Sequence, residues 1–299
     1  MIYHKPVLLE ESINGLNITP EGIFVDLTFG GGGHSSGILK KLGKEGKLLA
    51  FDQDKDAIRN ISDDSRLIFI NSNFRYLRNF LRYYEIEKVD GVMADLGISS
   101  HQIDTAERGF SFMKDADLDM RMNSGIKFSA ADVLNTYEET ELCLVFRQYG
   151  ELATASALSR TIVRQREKGE FKSIKQFVDG ISQLLPRGKE NRELAKIFQA
   201  LRIEVNDEMA VLKEILPQIT EYLKPGGRMV FLTYHSLEDR LVKNYMKTGN
   251  LEGILEKDFY GNIISPLKVV NKNGTEPSEE EIQENPRARS ARLRIAEKI

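Results

Sequence analysis

Cysteine is nearly absent from this 299-residue chain: Cys143 stands alone, so no internal disulfide framework holds the fold. Histidine is scarce as well. His4, His34, His101 and His235 show no metal-ligand spacing, and no metal is expected. No apolar run approaches the length of a membrane span, and the stretch from Met1 to Glu11 is too polar and too short for a signal peptide. These absences point to a reducing, cytoplasmic setting without a membrane partner. An overall excess of positive charge is also missing: the formal net charge is −3, which argues against a protein that coats nucleic acid without specificity. What is present, 41% hydrophobic and 29% charged residues, is the balance of a soluble globular protein of one large or two ordinary domains.

The stretch from Gly22 to Asp54 organises the rest. Ile23-Phe24-Val25 ends in Asp26 and opens onto Gly30-Gly31-Gly32-Gly33-His34-Ser35, after which come a helical segment and Lys47-Leu48-Leu49-Ala50-Phe51-Asp52. This reads as strand, glycine turn, helix, strand. Glycines at the end of a buried strand let the backbone turn sharply and let a ligand come close, while the next helix points its first N–H groups at that ligand. An acid about 20 residues on, here Asp52, is placed to accept hydrogen bonds from ribose hydroxyls, so a nucleoside-bearing ligand is expected. A dinucleotide fingerprint needs a third glycine where Ser35 or Ser36 stands, which weakens a phosphate reading. The run Asp26-Leu27-Thr28-Phe29-Gly30-Gly31-Gly32 instead resembles the first motif of S-adenosylmethionine-dependent methyltransferases. That cofactor has no pyrophosphate but carries an amino acid end, which Asp26 and the glycine amides are placed to hold.

Further along, a helix from about Ser35 to Leu42 is expected to be capped by Gly43. Leu67-Ile68-Phe69-Ile70-Asn71 reads as a third strand, with Asn73 as a helix cap and Phe74 placed either to stack on an adenine or to join the core. Val89 to Asp95 is a fourth strand, again ending in an acid. Lys224-Pro225-Gly226-Gly227 reads as a helix stop and turn before a fifth, Arg228 to Tyr234, which runs into His235-Ser236-Leu237-Glu238-Asp239-Arg240. Leu267 to Asn271 and Ala291 to Lys298 suit a closing antiparallel hairpin. Strands alternating with amphipathic helices imply a parallel, doubly wound sheet whose ligands sit at the carboxyl ends of the strands, where Asp26, Asp52 and Asp95 all fall.

The alternation breaks after Gly97. The next helix of the sheet is expected to begin near Asn206, as its cap, and the intervening segment of about a hundred residues is too long for a loop in a compact domain. Helical patterns near Glu138 to Tyr149, Ala153 to Arg166, Ser173 to Leu185 and Asn191 to Glu204 make it an inserted helical subdomain. The expected division is therefore 1–103 together with 206–299 as the cofactor domain, and 104–205 as a substrate-recognition insert. Twelve Lys or Arg stand against six Asp or Glu from Arg147 to Arg202, and five against one from Asn285 to Ile299. Such surpluses suit a solvated helix face or a nucleic-acid contact.

Long motifs in order then cover nearly the whole chain: His4-Lys5-Pro6-Val7-Leu8-Leu9, Asp26 to Ser35, Ala94-Asp95-Leu96-Gly97-Ile98-Ser99-Ser100-His101-Gln102, Arg108-Gly109-Phe110-Ser111-Phe112, Leu118-Asp119-Met120-Arg121-Met122, Gln199-Ala200-Leu201-Arg202, Tyr234 to Arg240 and Asn285-Pro286-Arg287-Ala288-Arg289-Ser290. In these the chain resembles the small-subunit ribosomal RNA methyltransferase H family. It departs from the family pattern where Asp117 replaces a proline and Asn123 an aspartate on either side of the Leu-Asp-Met-Arg-Met run. The resemblance implies an α/β, Rossmann-like class I methyltransferase fold with a mostly parallel doubly wound sheet and an inserted α-helical subdomain. It also implies S-adenosylmethionine as cofactor, S-adenosylhomocysteine as product, and methylation of the N4 amine of a cytosine near the decoding site of 16S ribosomal RNA, within the small subunit. A homodimer is compatible with it. The family's cofactor contacts fall on Gly32, Gly33, His34, Asp52, Phe74, Asp95 and Gln102.

A cytosine amine is a poor nucleophile because its lone pair is delocalised into the ring, so it needs alignment and a proton acceptor. The Asp/Asn-Pro-Pro-aromatic run of many amino-methyltransferases is replaced by Asp95-Leu96-Gly97-Ile98. Two acceptors are open: Asp95, or His235 oriented by a carboxylate such as Asp239. That His235 and Asp239 merely fix their loop is equally compatible. The target base must leave its stack, and Arg147, Arg160, Arg164, Arg166 and Arg187 of the insert, with Arg287 and Arg289 of the tail, are the candidates for holding the RNA backbone. A non-catalytic ribosome assembly factor is the rival reading, disfavoured by the complete acidic edge; a small-molecule methyltransferase is disfavoured by the basic insert.

Overall fold

Short apolar runs build the centre of a sheet, and alternate residues along each run enter opposite layers of core. The computed structural model describes residues 6–261 and 264–299; the motif residues His4 and Lys5 lie outside them. In chain order the elements begin with α1 (Leu9–Leu16), β1 (Ile23–Asp26), α2 (Gly33–Lys41), β2 (Lys47–Phe51), β3 (Leu67–Ile70), α3 (Leu77–Tyr83) and β4 (Val89–Asp95). Helices α4 (Ser100–Asp104), α5 (Ala130–Thr136), α6 (Glu139–Gln148), α7 (Ala155–Arg166), α8 (Ile174–Ile181) and α9 (Glu190–Val205) follow. The chain then returns through α10 (Glu208–Tyr222), β5 (Leu223–Thr233), α11 (Ser236–Thr248), β6 (Leu267–Val269), α12 (Glu279–Glu284) and β7 (Arg292–Lys298).

The strands form one seven-stranded sheet in the order β3-β2-β1-β4-β5-β7-β6. β1 to β5 are parallel, and β7 pairs antiparallel with both β5 and β6, so the expected α/β fold and its antiparallel closure are both found. Chain order reverses between β1 and β4, which opens the crevice where such sheets bind ligands. Val25, Leu49, Val92 and Phe231 pack on one face with α10 residues such as Ile215 and Ile219. Their neighbours Phe24, Leu48, Met93 and Val230 pack on the other with Leu16 and Ile38. No helix among the described residues is long and apolar enough to cross a membrane.

Contacts divide the chain into two compact units, Ile98–Glu208 and the flanking segments that carry the sheet. The helical unit is thus wider than 104–205, taking in α4 and the turn after α9. Asn206 explains the second boundary. Its Oδ1 accepts from Met122 N at 2.7 Å and its Nδ2 donates to Met120 O and Arg202 O, both at 2.8 Å, so it ties the end of α9 to the helical unit and does not cap α10. Arg108 Nη2 donates to the carbonyls of Arg121 and Met122 at 2.9 and 3.0 Å, and Arg121 forms a two-pronged pair with Asp119. Gly109 has φ +72° at the centre of this knot, where a Cβ would meet Asp117 O at 2.6 Å. The long motifs of this unit therefore tie its irregular segment together. The two departures are mild, since Asp117 joins Ser173 through a backbone bridge and Asn123 Oδ1 accepts from Gly125 N at 2.8 Å in a local turn.

Two local expectations are corrected. α2 ends in extended backbone at Leu42, and Gly43 instead approaches Pro20 closely, donating to its carbonyl at 2.7 Å. Lys224 to Gly227 lie inside β5 as an irregularity, where pairing with β4 jumps from Val89↔Leu223 to Gly91↔Arg228.

Candidate active site

Five strands of the sheet, β1 to β5, run parallel and bring their carboxyl ends to one edge, and the glycine loop bends across it. Asp26 sits beneath that loop with no exposed surface. Its Oδ1 accepts from Thr28 N at 3.0 Å and its Oδ2 from the Ser35 hydroxyl at 2.6 Å, while burial pushes its pKa up. Asp26 therefore braces the loop; the expected direct hold on a ligand is corrected, because the carboxylate has no exposed surface through which a ligand could reach it. Gly32 has φ +76° and caps α2, a conformation that glycine adopts without strain. At Gly33 the Pro6 ring fills the place of a side chain, since a Cβ there would lie 2.1 Å from Pro6 Cγ.

His34 is 6% exposed. Its Nε2 lies 3.1 Å from the Val7 carbonyl and its Nδ1 3.7 Å from Asp95 Oδ2. The N-terminal segment that holds it is itself held by Glu281 of α12, which accepts from Leu8 N at 2.8 Å. Nothing in the acidic stretch around Glu281 announced that role, because its partner lies at the other end of the sequence. With the His34 ring engaged by the chain, what Gly33 and His34 offer a ligand is the amide groups of the first turn of α2, which have no partner within the helix.

Asp52 follows β2 and is half-buried. It accepts from Gly30 N at 2.7 Å and Asp54 N at 2.8 Å, and burial pushes its carboxyl up to about 6. Each of its oxygens keeps a lone pair for a hydroxyl donor. Phe74 stands beyond β3, half-buried against the sheet core, behind the Asn73 side chain that accepts from Arg75 N.

Asp95 ends β4 with its side chain 26% exposed. Its backbone N donates to Thr28 Oγ1 at 2.6 Å, and its Oδ1 accepts from the Tyr234 hydroxyl at 2.7 Å. Burial raises the pKa of Asp95. The phenol of Tyr234 is raised well above its usual range, by burial first and then by the Asp95 carboxylate, so it stays a donor. The sequence places Tyr234 at the end of the fifth strand and in a long motif but gives it no site role; its place just past β5, next to β4 in the sheet, is the signal that strand order supplies.

His235 caps α11, and its side chain is 8% exposed. Its Nε2 lies 3.0 Å from Glu238 Oε1, within charge-pair distance but without an aligned hydrogen bond. The expected pairing with Asp239 is corrected: the side chain three places along the helix returns to the cap, whereas the one four places along faces β7. There Arg294 grips Asp239 with two hydrogen bonds of 2.8 and 2.9 Å. Burial alone would raise the Asp239 carboxyl, but the Arg294 guanidinium overrides it and holds the group below the usual carboxylate range.

Gln102 belongs to the helical unit, where it is 5% exposed and closes a capping box with Ser99 through Oε1, 3.1 Å from Ser99 N. Arg166 is corrected as an RNA contact, because its Nη1 donates to the carbonyls of Leu134 and Tyr137 at 3.1 and 2.6 Å. Arg147, Arg160, Arg164 and Arg187 are exposed, as are Arg287 and Arg289. Arg147 reaches Ser156 Oγ at 3.3 Å, and Arg160 lies 3.7 Å from Glu139.

The sequence pattern of the MraW methylase family matches residues 1–299. Ribosomal RNA small subunit methyltransferase H of Bacteroides thetaiotaomicron is 57% identical over 298 residues, covering 100% of this chain and 98% of its own. The protein of that name from Christiangramia forsetii is 58% identical over 299 residues, covering 100% and 99%. That from Flavobacterium johnsoniae is 54% identical, with the same coverage.

Proposed function

The chain belongs to the MraW methylase family, and from that premise we propose that it methylates the N4 amine of a cytosine near the decoding site of 16S ribosomal RNA, in the cytoplasm, using S-adenosylmethionine. The donor set suits that cofactor. From Asp26 to Leu39 the chain carries no Lys or Arg, and the edge is lined by carboxylates. Such an edge favours a positively charged sulfonium and ribose hydroxyls over a pyrophosphate. Asp52 would accept from the ribose, the first amides of α2 would meet the amino acid carboxylate, and Phe74 would cover the adenine.

When bound, the cofactor supplies an electrophilic methyl group. The acceptor amine loses one proton as its bond to the methyl carbon forms, and Asp95 takes that proton. One observation carries this choice over His235: Asp95 Oδ2 accepts no hydrogen bond from the described residues and its side chain is partly exposed, whereas His235 is enclosed and committed to the start of α11. The exposed arginines Arg147, Arg160, Arg164, Arg187, Arg287 and Arg289 hold the RNA backbone while the base is turned out of its stack.

The test is methyl transfer from radiolabelled S-adenosylmethionine to small ribosomal subunits that lack the modification, followed by nuclease digestion and nucleoside analysis. Label in N4-methylcytidine species is the expected result. Bound cofactor with no label would favour an assembly scaffold instead.

A further inference from the structure

Tyr234 follows the last residue of β5, one strand away from Asp95, and its hydroxyl donates to Asp95 Oδ1 at 2.7 Å. We propose that Tyr234 is a positioning residue for methyl transfer: by occupying Oδ1 it fixes the Asp95 carboxylate and leaves Oδ2 as the oxygen that meets the acceptor amine. The inference rests on the reading of Asp95 as proton acceptor.

The terminal torsion of an aspartate is broad and roughly two-fold, so an untethered carboxylate presents either oxygen. Here the main chain of Asp95 is pinned through its N–H to Thr28 Oγ1, and the Tyr234 hydroxyl selects one oxygen. Oδ2 then faces the His34 side, 3.7 Å from Nδ1. Tyr234 is itself immobilised. Its backbone N donates to Glu238 Oε2 at 3.1 Å, and its ring packs against the core layer that holds Val230 and Leu293. Gly97, at φ +96°, carries the chain leaving β4 past the ring edge, with its missing Cβ position 3.8 Å from Tyr234 Cδ2.

The hydrogen bond also acts on ionisation. Burial raises Asp95, and four groups modulate it: His34 of α2 and the Tyr234 hydroxyl favour its charged form, while Asp26 of β1 and Glu238 of α11 oppose it. Tyr234 in turn faces Asp95, Glu238 and, from α12, Glu281. Asp95 must be ionised to accept a proton. Removing the hydroxyl therefore moves the acid limb of the rate profile to higher pH.

The experiment compares wild type, Tyr234→Phe, Asp95→Asn and the double variant in single-turnover transfer to unmodified small subunits across pH, with cofactor Kd measured calorimetrically. Loss of a hydrogen bond to a charged group predicts that Tyr234→Phe slows transfer by about tenfold, leaves the cofactor Kd unchanged and shifts the acid limb upward. Asp95→Asn is slower still, and adding Tyr234→Phe to it costs nothing more. In cofactor-free protein, 3-fluorotyrosine placed at position 234 should give a fluorine resonance that titrates with Asp95 and stops titrating in Asp95→Asn. A wild-type rate and acid limb in Tyr234→Phe, beside a slow Asp95→Asn, overturns the positioning role alone. A fast Asp95→Asn removes the acceptor reading, and the positioning role with it. If Tyr234→Phe melts early, the fluorine titration decides: a resonance indifferent to Asp95→Asn overturns the proposal.

Discussion

Two acids at the edge of the sheet and a set of charged residues in the helical unit are used in opposite ways. On the edge of the sheet, Asp52 and Asp95 are raised by burial yet keep acceptor capacity at the surface. In the helical unit, Arg108, Asp119, Arg121, Arg166 and Arg202 are spent on partners within the unit, with Arg202 gripping Glu208 at 2.8 and 2.9 Å. A long motif is therefore no guide to a site by itself. What separates the two cases is whether the polar atoms point inward or out.

The sharpest way to break this comparison is to damage the knot alone. Gly109→Ala places a Cβ 2.6 Å from Asp117 O at a positive φ, which should cost about 3 kcal/mol or more in urea denaturation. Cofactor affinity should survive it; a parallel loss of affinity would mean that the two units are energetically one. Next comes Asn206→Ala, which strips buried backbone groups of their partners and should cost about 2 kcal/mol by the same measurement.

On the sheet edge the expected effect is a pH dependence. Asp52 is raised from 3.8 to about 6; in the proposed role its ionised form would accept both ribose hydroxyls, so cofactor affinity should fall by up to about tenfold per pH unit below that value. Calorimetric titrations across this range check it, and Asp52→Asn should flatten the dependence. The stability contribution has the opposite sense: the native state keeps the Asp52 proton longer than the unfolded chain, so this group makes stability fall as pH rises from about 4 to about 6.

Smaller effects sharpen the contrast within the helical unit. Arg160→Glu, Arg164→Glu and Arg187→Glu should each lower the slope of log affinity for RNA against log salt by about 1. Arg166→Gln should leave that slope unchanged and lose only about 1 kcal/mol of stability. An Arg166→Gln slope as low as that of Arg164→Glu would contradict the division.

The parallel sheet, the glycine loop and the three acids at strand ends were legible because each depends on local order: an apolar run, a turn and the residue that closes the strand. The helical insert was legible from its length together with its helical periodicity. What escaped depends on neighbours distant in sequence. Tyr234 matters because β5 lies beside β4, Glu281 because α12 returns to the N-terminal segment, and Asn206 because it turns back to Met120 and Met122. The choice of Glu238 over Asp239 as the neighbour of His235 turned on a single residue of helical phase.

The most direct measurement is the single-turnover rate of Asp95→Asn beside His235→Ala on unmodified small subunits at saturating cofactor. The account predicts that Asp95→Asn is slower by about 100-fold or more, as for loss of a general base, and that His235→Ala retains the chemical step. A wild-type rate in Asp95→Asn, with the loss falling on His235→Ala, would contradict it.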